Sequence, residues 1–404
     1  MKTHPDELAI FGAQPVFDQP LHVGRPEVGD RDALMTRIED ILDRRWFTND
    51  GPYVRQLEQR IADYVGARNC VAVCNGTVGL EIASRALGLA GEVIVPAFTF
   101  VATVHALTWQ GITPVFCEID PQTHNLSPAA VEAAVTPSTT GVVGVHVWGR
   151  PCSVDELTNI ANRHRLKLLF DSAHAFGCSH GGQMIGTFGD AEVFSFHATK
   201  FVHAFEGGAI VTNDDELAET MRLMRNFGFA GYDNVIHLGV NGKMSEVSAA
   251  MAITAIDDID RLISQNRENY EEYRKGLQGA PGYRLVEYST KDRRNYQYVV
   301  VEVSERDTGI SRDIALQILH AENVLARRYF FPGCHRMGPY LAADGTPRAR
   351  LPATDAVCEN VLVLPTGGQM TPAEIDGVCS ILRLASEHST AIVGRLEHGV
   401  RTTG

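Results

Sequence analysis

Two side chains in this sequence have the types and placement for imine chemistry. Asp171 closes the apolar run LKLLFD, and Lys200 follows the apolar run EVFSF within VFSFHATKFVHAFEGGAIVT. A carboxylate at the end of a buried strand is costly to desolvate unless something pairs with it. One such partner is a helix N-terminus; another is a protonated heteroaromatic nitrogen. A lysine at a second strand end can reach an aldehyde on the same heterocycle with its flexible stem. An acid and an amine so placed fit pyridoxal phosphate (PLP), whose protonated pyridine ring is an electron sink.

Further residues suit such a ring. Asn75-Gly76-Thr77 stands between the run CVAV and an amphipathic stretch, where a helix N-terminus offers free N–H groups to a phosphate. Phe98 and Phe100 follow the run EVIVP, and an aromatic there can stack on a ring. His174, three residues after Asp171, can stack on the same ring or hydrogen-bond its phenolic oxygen. Ser195 and His197 flank the strand end before Lys200, where a hydroxyl and an imidazole can meet a phosphate. Taken singly, each has an ordinary reading: a capping aspartate, a structural histidine, a core phenylalanine, a plain strand-to-helix turn, a solvated lysine. Their order along the chain is what points to one site.

The elements that must position them are legible as a rhythm. Apolar runs at 70–73, 92–96, 114–119, 141–147, 166–173, 192–196 and 208–212 are continuous rather than alternating, as strands buried on both faces are. Amphipathic spacers separate the earlier runs, so a largely parallel sheet flanked by helices is expected. Ligands of such sheets sit at the carboxyl ends of the strands. Upstream, Leu34, Ile38, Ile41 and Leu42, then Leu57, Ile61 and Tyr64, carry helical spacing around a loop at 46–52. After about 245 the rhythm changes. A long helix is expected over Ala249–Leu262, strands at RLVEY, YQYVVVEV and VLVLP, and helices near 309–323 and 372–386. The expectation is therefore an α/β domain over 1–245, with an N-terminal segment on the substrate side, and a smaller α+β domain over 246–404. The tail after 388 is expected to fray.

Composition bounds the function. The 404 residues are 44% hydrophobic and 21% charged, as in a soluble globular protein. A net charge of −13 disfavours a nucleic-acid or anionic-membrane partner, though not a small anionic substrate. No apolar run is long enough to span a bilayer, and the N-terminus carries no signal-peptide core. Eight scattered cysteines without a CxxC pair read as buried free thiols in a reducing cytoplasm, and no metal site is expected.

The stretches GPYVRQLE, NGT, VPAFTFVAT, GVHVWGRP, FDSAHAFG, GTFGDAEVFSFHATK, EGGAIVTND, NGKMSEVSAAM and LPTG closely resemble the DegT/DnrJ/StrS sugar aminotransferases, nearly end to end. The resemblance implies the fold of the fold-type-I PLP enzymes, with a mostly parallel seven-stranded sheet. It implies that Lys200 carries PLP as a Schiff base and moves the proton. Asp171 then pairs with the pyridine nitrogen, Phe100 stacks on the ring, and Gly76, Thr77 and Ser195 hold the phosphate. His174 lies against the ring or its oxygen. Asn241 resembles the asparagine that reaches the partner subunit's phosphate, which implies a homodimer with shared sites. The family often has arginine two residues later; Lys243 stands there, which puts a bidentate contact in doubt. Ser172 replaces the usual alanine after Asp171.

FDQPLHVGRP, VGVHVWGRPC, AFEGGA and FFPGCH further resemble the family's C-4 aminotransferases of deoxysugar antibiotic pathways. That resemblance implies dTDP-4-keto-6-deoxy-D-glucose as acceptor and L-glutamate as donor. Candidates to bind the nucleotide sugar are His197, Lys243, Arg327, Arg328, Tyr329, Phe330, Phe331 and His335, with Arg25, Trp46 and Phe47 at the border. Three other readings share the motifs: amination at C-3, a UDP- or GDP-linked sugar, and a non-catalytic sensor that keeps PLP as structure. A fourth, a PLP-dependent sugar dehydratase, is disfavoured because some of those enzymes replace the lysine by histidine.

Overall fold

The computed structural model describes residues 2–401. Strand β1 (Leu21–Arg25) precedes helices α1 (Arg31–Arg44) and α2 (Pro52–Val65). The seven apolar runs then become one sheet: β2 (Asn69–Val73), β3 (Glu92–Pro96), β4 (Thr113–Cys117), β5 (Thr139–Val145), β6 (Lys167–Asp171), β9 (Ala191–Ser195) and β10 (Gly208–Thr212). A short hairpin, β7 (Ser179–His180) and β8 (Gln183–Met184), intervenes. The sheet order is β2-β10-β9-β6-β5-β3-β4. All neighbours are parallel except β10, which runs antiparallel to β2 and β9. The carboxyl ends of β2, β3, β5, β6 and β9 therefore share one edge with the amino end of β10.

Helices α3 (Gly76–Ala86), α4 (Val101–Thr108), α5 (Pro128–Ala134), α6 (Val154–His164) and α7 (Asp215–Arg225) lie between the strands in sequence. Local chemistry starts several of them. Asn75, Ser127 and Asp214 stand at N-caps and accept N–H bonds from the first turns of α3, α5 and α7. Such caps are worth about 0.5–2 kcal/mol each.

The helix expected over Ala249–Leu262 is two: α8 (Glu246–Asp257) and α9 (Ile259–Gly276), broken at Asp258. The break joins helices of different character. α8 is apolar nearly all round and shares the core of α1, α2 and the seven-stranded sheet. α9 is amphipathic and places Tyr273 in the second core, which also holds Val378 and Cys379. That core includes the antiparallel sheet β11 (Tyr283–Leu285), β12 (Val299–Val303) and β14 (Val361–Leu364). Around it lie α10 (Glu305–Thr308), α11 (Arg312–Ala321), α12 (Pro352–Asn360), α13 (Pro372–Glu387) and α14 (Ser389–Arg401).

Two segments cross the expected boundary at 245/246. α8 sits with the large sheet, because its all-apolar surface needs burial on every side. β1 inserts in parallel between β13 (Val324–Leu325) and β15 (Thr366–Gly367), and Leu8 and Leu21 join the C-terminal core. We propose that the two units exchange these segments rather than divide cleanly at one residue.

The tail differs from expectation. Residues 389–401 form α14, Ile392 is buried in the second core, and Arg395 pairs with Asp6 and covers Phe11. A short apolar face in a mostly polar segment was enough to dock it. Residues 402–404 lie outside the described residues. All eight cysteines are free, and all but the half-buried Cys74 are buried. Among the described residues no helix is long and apolar enough to cross a membrane.

Candidate active site

Where the strand ends meet, two glycines let α3 approach the sheet. Gly76 is the first residue of α3, and the Asn75 side chain accepts the Val78 N–H at 2.9 Å. The first-turn N–H groups of a helix have no intrahelical acceptor, so they are free to face an anion. A Cβ on Gly76 would lie 3.2 Å from Ser195 Cβ, and one on Gly208 would lie 2.8 Å from Gly76 N. A side chain at Gly208 would thus collide with the backbone of the cradle, and one at Gly76 would crowd Ser195. Gly208→Ala would push the helix N-terminus off the sheet edge. Its expected effect is cofactor binding weaker by about tenfold, or about 1.4 kcal/mol. A spectrophotometric PLP titration checks this; unaltered affinity would count against the cradle.

Asp171 is the last residue of β6 and is buried. Burial pushes its carboxyl above the ordinary carboxylate range, while bonds from Thr103 and Ala173 pull the other way. The Thr103 hydroxyl donates to Oδ2 at 2.7 Å and the Ala173 N–H to Oδ1 at 3.1 Å. Thr99 Oγ1 lies 2.8 Å from Thr103 Oγ1, one turn earlier. Behind Asp171, the Ser172 hydroxyl donates to the fully buried Glu192, which also accepts N–H bonds from Gly186 and Phe188. Ser172 is therefore fixed behind Asp171, outside the cavity lining.

Lys200 follows β9 in a loop closed by the bonds Lys200 N–H to His197 O and Ala204 N–H to Phe196 O, both 2.8 Å. Its Nζ is buried and donates to Tyr298 Oη at 3.0 Å. Burial depresses the Lys200 ammonium to about 8, against the opposing pull of Asp171 and Tyr329. A lysine that acts as a base must be neutral. Its protonated, inactive form therefore accumulates as the pH falls below about 8. Single-turnover rates of the step in which this amine is free are expected to rise with pH through that region. A profile flat from about pH 6 to 9 would contradict the assignment.

These groups line one cavity of about 1050 Å³. Of the residues singled out in the sequence, Gly76, Thr77, Phe100, Asp171, His174, Ser195, Lys200, His197, Tyr329, Arg25, Arg327 and Phe330 line it. Phe100 is exposed at the N-cap of α4, so its ring is free to cover a ligand. His174 packs on Tyr298 with ring centroids 4.4 Å apart.

Other candidates lie outside the cavity. Arg328, between two lining residues, turns away to Asp313 at 3.1 Å and covers Phe331. Phe331 is held by Arg312 and Arg328 outside the cavity. His335 is buried against Asp355 at 3.0 Å. Lys243 Nζ donates to Asn226 Oδ1 at 2.9 Å and lies over Phe227. Asn241 is exposed and bridges to Asn226 through the backbone. Trp46 and Phe47 are exposed, Trp46 beneath Arg55.

Several site residues carried no usable sequence signal. Tyr298 reads as one more aromatic in a strand-like run. Thr99 and Thr103 read as polar residues around a helix start, with nothing to show that they face a strand-end carboxylate. Trp148 sits in a quoted motif without a role. His22 and Gln369 reach the cavity rim through pairing of β1 with the C-terminal part.

Comparison with known proteins bears on this site. The family model described as the DegT/DnrJ/EryC1/StrS aminotransferase family matches residues 29–383. A dTDP-4-amino-4,6-dideoxy-D-glucose transaminase of Shigella dysenteriae is 34% identical over 367 residues, covering 91% of this chain and 99% of that protein. A GDP-perosamine synthase of Caulobacter vibrioides is 32% identical over 352 residues, covering 85% and 93%. The crystal structure of DesI in the presence of its TDP-sugar product superposes with a TM-score of 0.93 at 48% identity, covering 97% of this chain and 99% of that one.

Proposed function

The chain belongs to the DegT/DnrJ/EryC1/StrS aminotransferase family, and on that premise we propose that it transfers the amino group of L-glutamate to the C-4 ketone of dTDP-4-keto-6-deoxy-D-glucose. The product is dTDP-4-amino-4,6-dideoxy-D-glucose. The observation that carries the reading is the convergence of buried Asp171 and buried Lys200 on one cavity beside the glycine-floored N-terminus of α3. The 48%-identical structure described with its TDP-sugar product supports the nucleotide. The 34%-identical 4-amino-4,6-dideoxyglucose transaminase supports the position on the sugar.

The residues fit PLP. The cradle that a Cβ would fill suits its phosphate, and the buried carboxylate suits its pyridine nitrogen. When bound, PLP supplies the electron sink. The protein's own groups do the rest. Gly76, Thr77 and Ser195 hold the phosphate end, and Phe100 covers the ring. Asp171 keeps the proton on the ring nitrogen. Lys200 Nζ takes the proton from the α-carbon of glutamate and, in the second half of the cycle, delivers one to C-4 of the sugar. Tyr298 Oη holds Nζ while the amine is free. His197, Tyr329, Arg327 and Arg25 line the same cavity, which supports contact with the nucleotide sugar. The exposure of Asn241 and of the nearby apolar residues Phe227, Phe229, Val235 and Leu238 supports a homodimer in which Asn241 completes a second protomer's site. Free, mostly buried thiols suit a cytoplasmic location.

The test runs the reaction backwards. Incubation with dTDP-4-amino-4,6-dideoxy-D-glucose and 2-oxoglutarate is expected to give glutamate and the 4-keto sugar, identified by NMR. Preferential consumption of a C-3 amino sugar would overturn the regiochemistry. The similarity to a GDP-perosamine synthase favours one second reading, a GDP-linked acceptor. The same assay with the GDP-linked 4-amino sugar separates the two.

A further inference from the structure

Trp148 stands at the centre of a hydrogen-bonded chain that runs from the protein surface to the cavity. Its side chain is fully buried, and its backbone is left-handed at φ 62. A bulky residue holds that conformation only where its surroundings over-determine it. Here the surroundings are hydrogen bonds at both ends. The indole N–H donates to His124 Nδ1 at 3.1 Å, and the backbone N–H donates to His174 Nδ1 at 3.3 Å. The backbone carbonyl accepts from Tyr288 Oη at 3.1 Å.

An indole N–H and a backbone N–H can only donate. Each histidine nitrogen facing Trp148 must therefore be an acceptor. In His124 the ring proton then sits on Nε2, which lies 2.9 Å from Glu302 Oε1. Glu302 also takes Arg284. Burial pushes its carboxyl up, but the bonds from His124 and Arg284 outweigh this and leave it below the ordinary range. The acceptor at the outer end of the chain is thus an ionised carboxylate. In His174, burial and the neighbouring Lys200 push the imidazolium well below its ordinary range. The ring is neutral, with its single proton on Nε2.

We propose that Trp148, anchored through His124 by Glu302, is a positioning residue that fixes His174 as a neutral Nε2–H donor toward an anionic oxygen on the ring bound in this cavity. This deepens the PLP reading and rests on it for the identity of the ring. A free-swinging His174 could turn a lone pair toward a phenolate oxygen and repel it; the chain removes that option. Tyr298 and Lys200, the titratable groups next to His174, are themselves hydrogen-bonded to each other, so neither competes for its Nδ1.

The first measurement uses cofactor-free protein labelled with ¹⁵N-histidine, with His174→Gln to assign the signal. The expected His174 pattern is a neutral ring protonated at Nε2. A ring protonated at Nδ1, or a doubly protonated ring at neutral pH, overturns the proposal. This arm holds whether or not the chain acts on a sugar. The second uses the PLP-loaded enzyme and the pH midpoint of its visible absorbance change. A donor to the phenolic oxygen stabilises the ionised oxygen and lowers that midpoint. Glu302→Leu is expected to raise it by about 1 unit. Glu302→Gln, whose amide oxygen can still accept from His124, is expected to restore it. Equal midpoints in wild type and the leucine variant, or equal shifts in both variants, overturn the role of Glu302. A protein that binds no PLP at all defeats the functional reading and leaves the tautomer to be judged by the first measurement alone.

Discussion

Lys200→Ala is expected to lower kcat by about 10⁴-fold or more, with the fold and cofactor binding largely retained. General acid–base groups alone are worth about 10²–10⁴-fold, and on the proposed reading this amine also tethers the cofactor. The structure explains why no neighbour can substitute. Tyr298 is the one group within hydrogen-bonding distance of Nζ among the described residues, and its hydroxyl is held neutral by burial. Truncation to alanine removes a buried ammonium whose desolvation is unfavourable, so stability should not suffer much. The α3 cradle and Asp171 remain, so PLP should still bind, without the visible band of a lysine adduct. Stopped-flow and steady-state assays with glutamate check the prediction. Substantial turnover by the alanine variant without any added amine would falsify the role given to Lys200.

Asp171→Asn should cost about 10³-fold in kcat, the scale of losing one preorganised charge in a buried site. The amide is nearly isosteric and can keep one bond from Thr103 or Ala173, so the wall of the cavity is preserved. What disappears is the negative charge proposed to keep a proton on the ring nitrogen. The cofactor's affinity should fall far less than kcat, because the α3 cradle proposed for its phosphate is untouched. A loss confined to affinity, with kcat unchanged at saturating cofactor, would make Asp171 a mere anchor. The charge also predicts an acid limb in the wild type. Burial raises the Asp171 carboxyl, so the charge is lost as the pH falls through that raised value. Protonation of Lys200 below about 8 works in the same direction. Both groups therefore place the productive form on the neutral-to-alkaline side.

The sequence by itself determined the sheet and the core of the site. Strands buried on both faces must be apolar throughout, so all seven runs could be read, and residues that follow such strands collect at one edge of a parallel sheet. Gly76, Ser195, Asp171 and Lys200 were legible for that reason. Tertiary structure decided the parts that depend on orientation or on distant pairing. Arg328 was indistinguishable in sequence from Arg327 and Tyr329, yet it faces Asp313 while its two neighbours line the cavity. Tyr298 reached Lys200 only because the residue that enters β12 comes within hydrogen-bonding distance of the loop after β9, about a hundred residues earlier in the chain. The insertion of β1 between β13 and β15, and of α8 into the first core, followed from burying faces whose partners lie far away in sequence. The chain from Glu302 to His174 joins residues 124, 148, 174 and 302, and no local pattern encodes which nitrogen of a histidine holds the proton. That is fixed by donors which only the folded chain brings within reach.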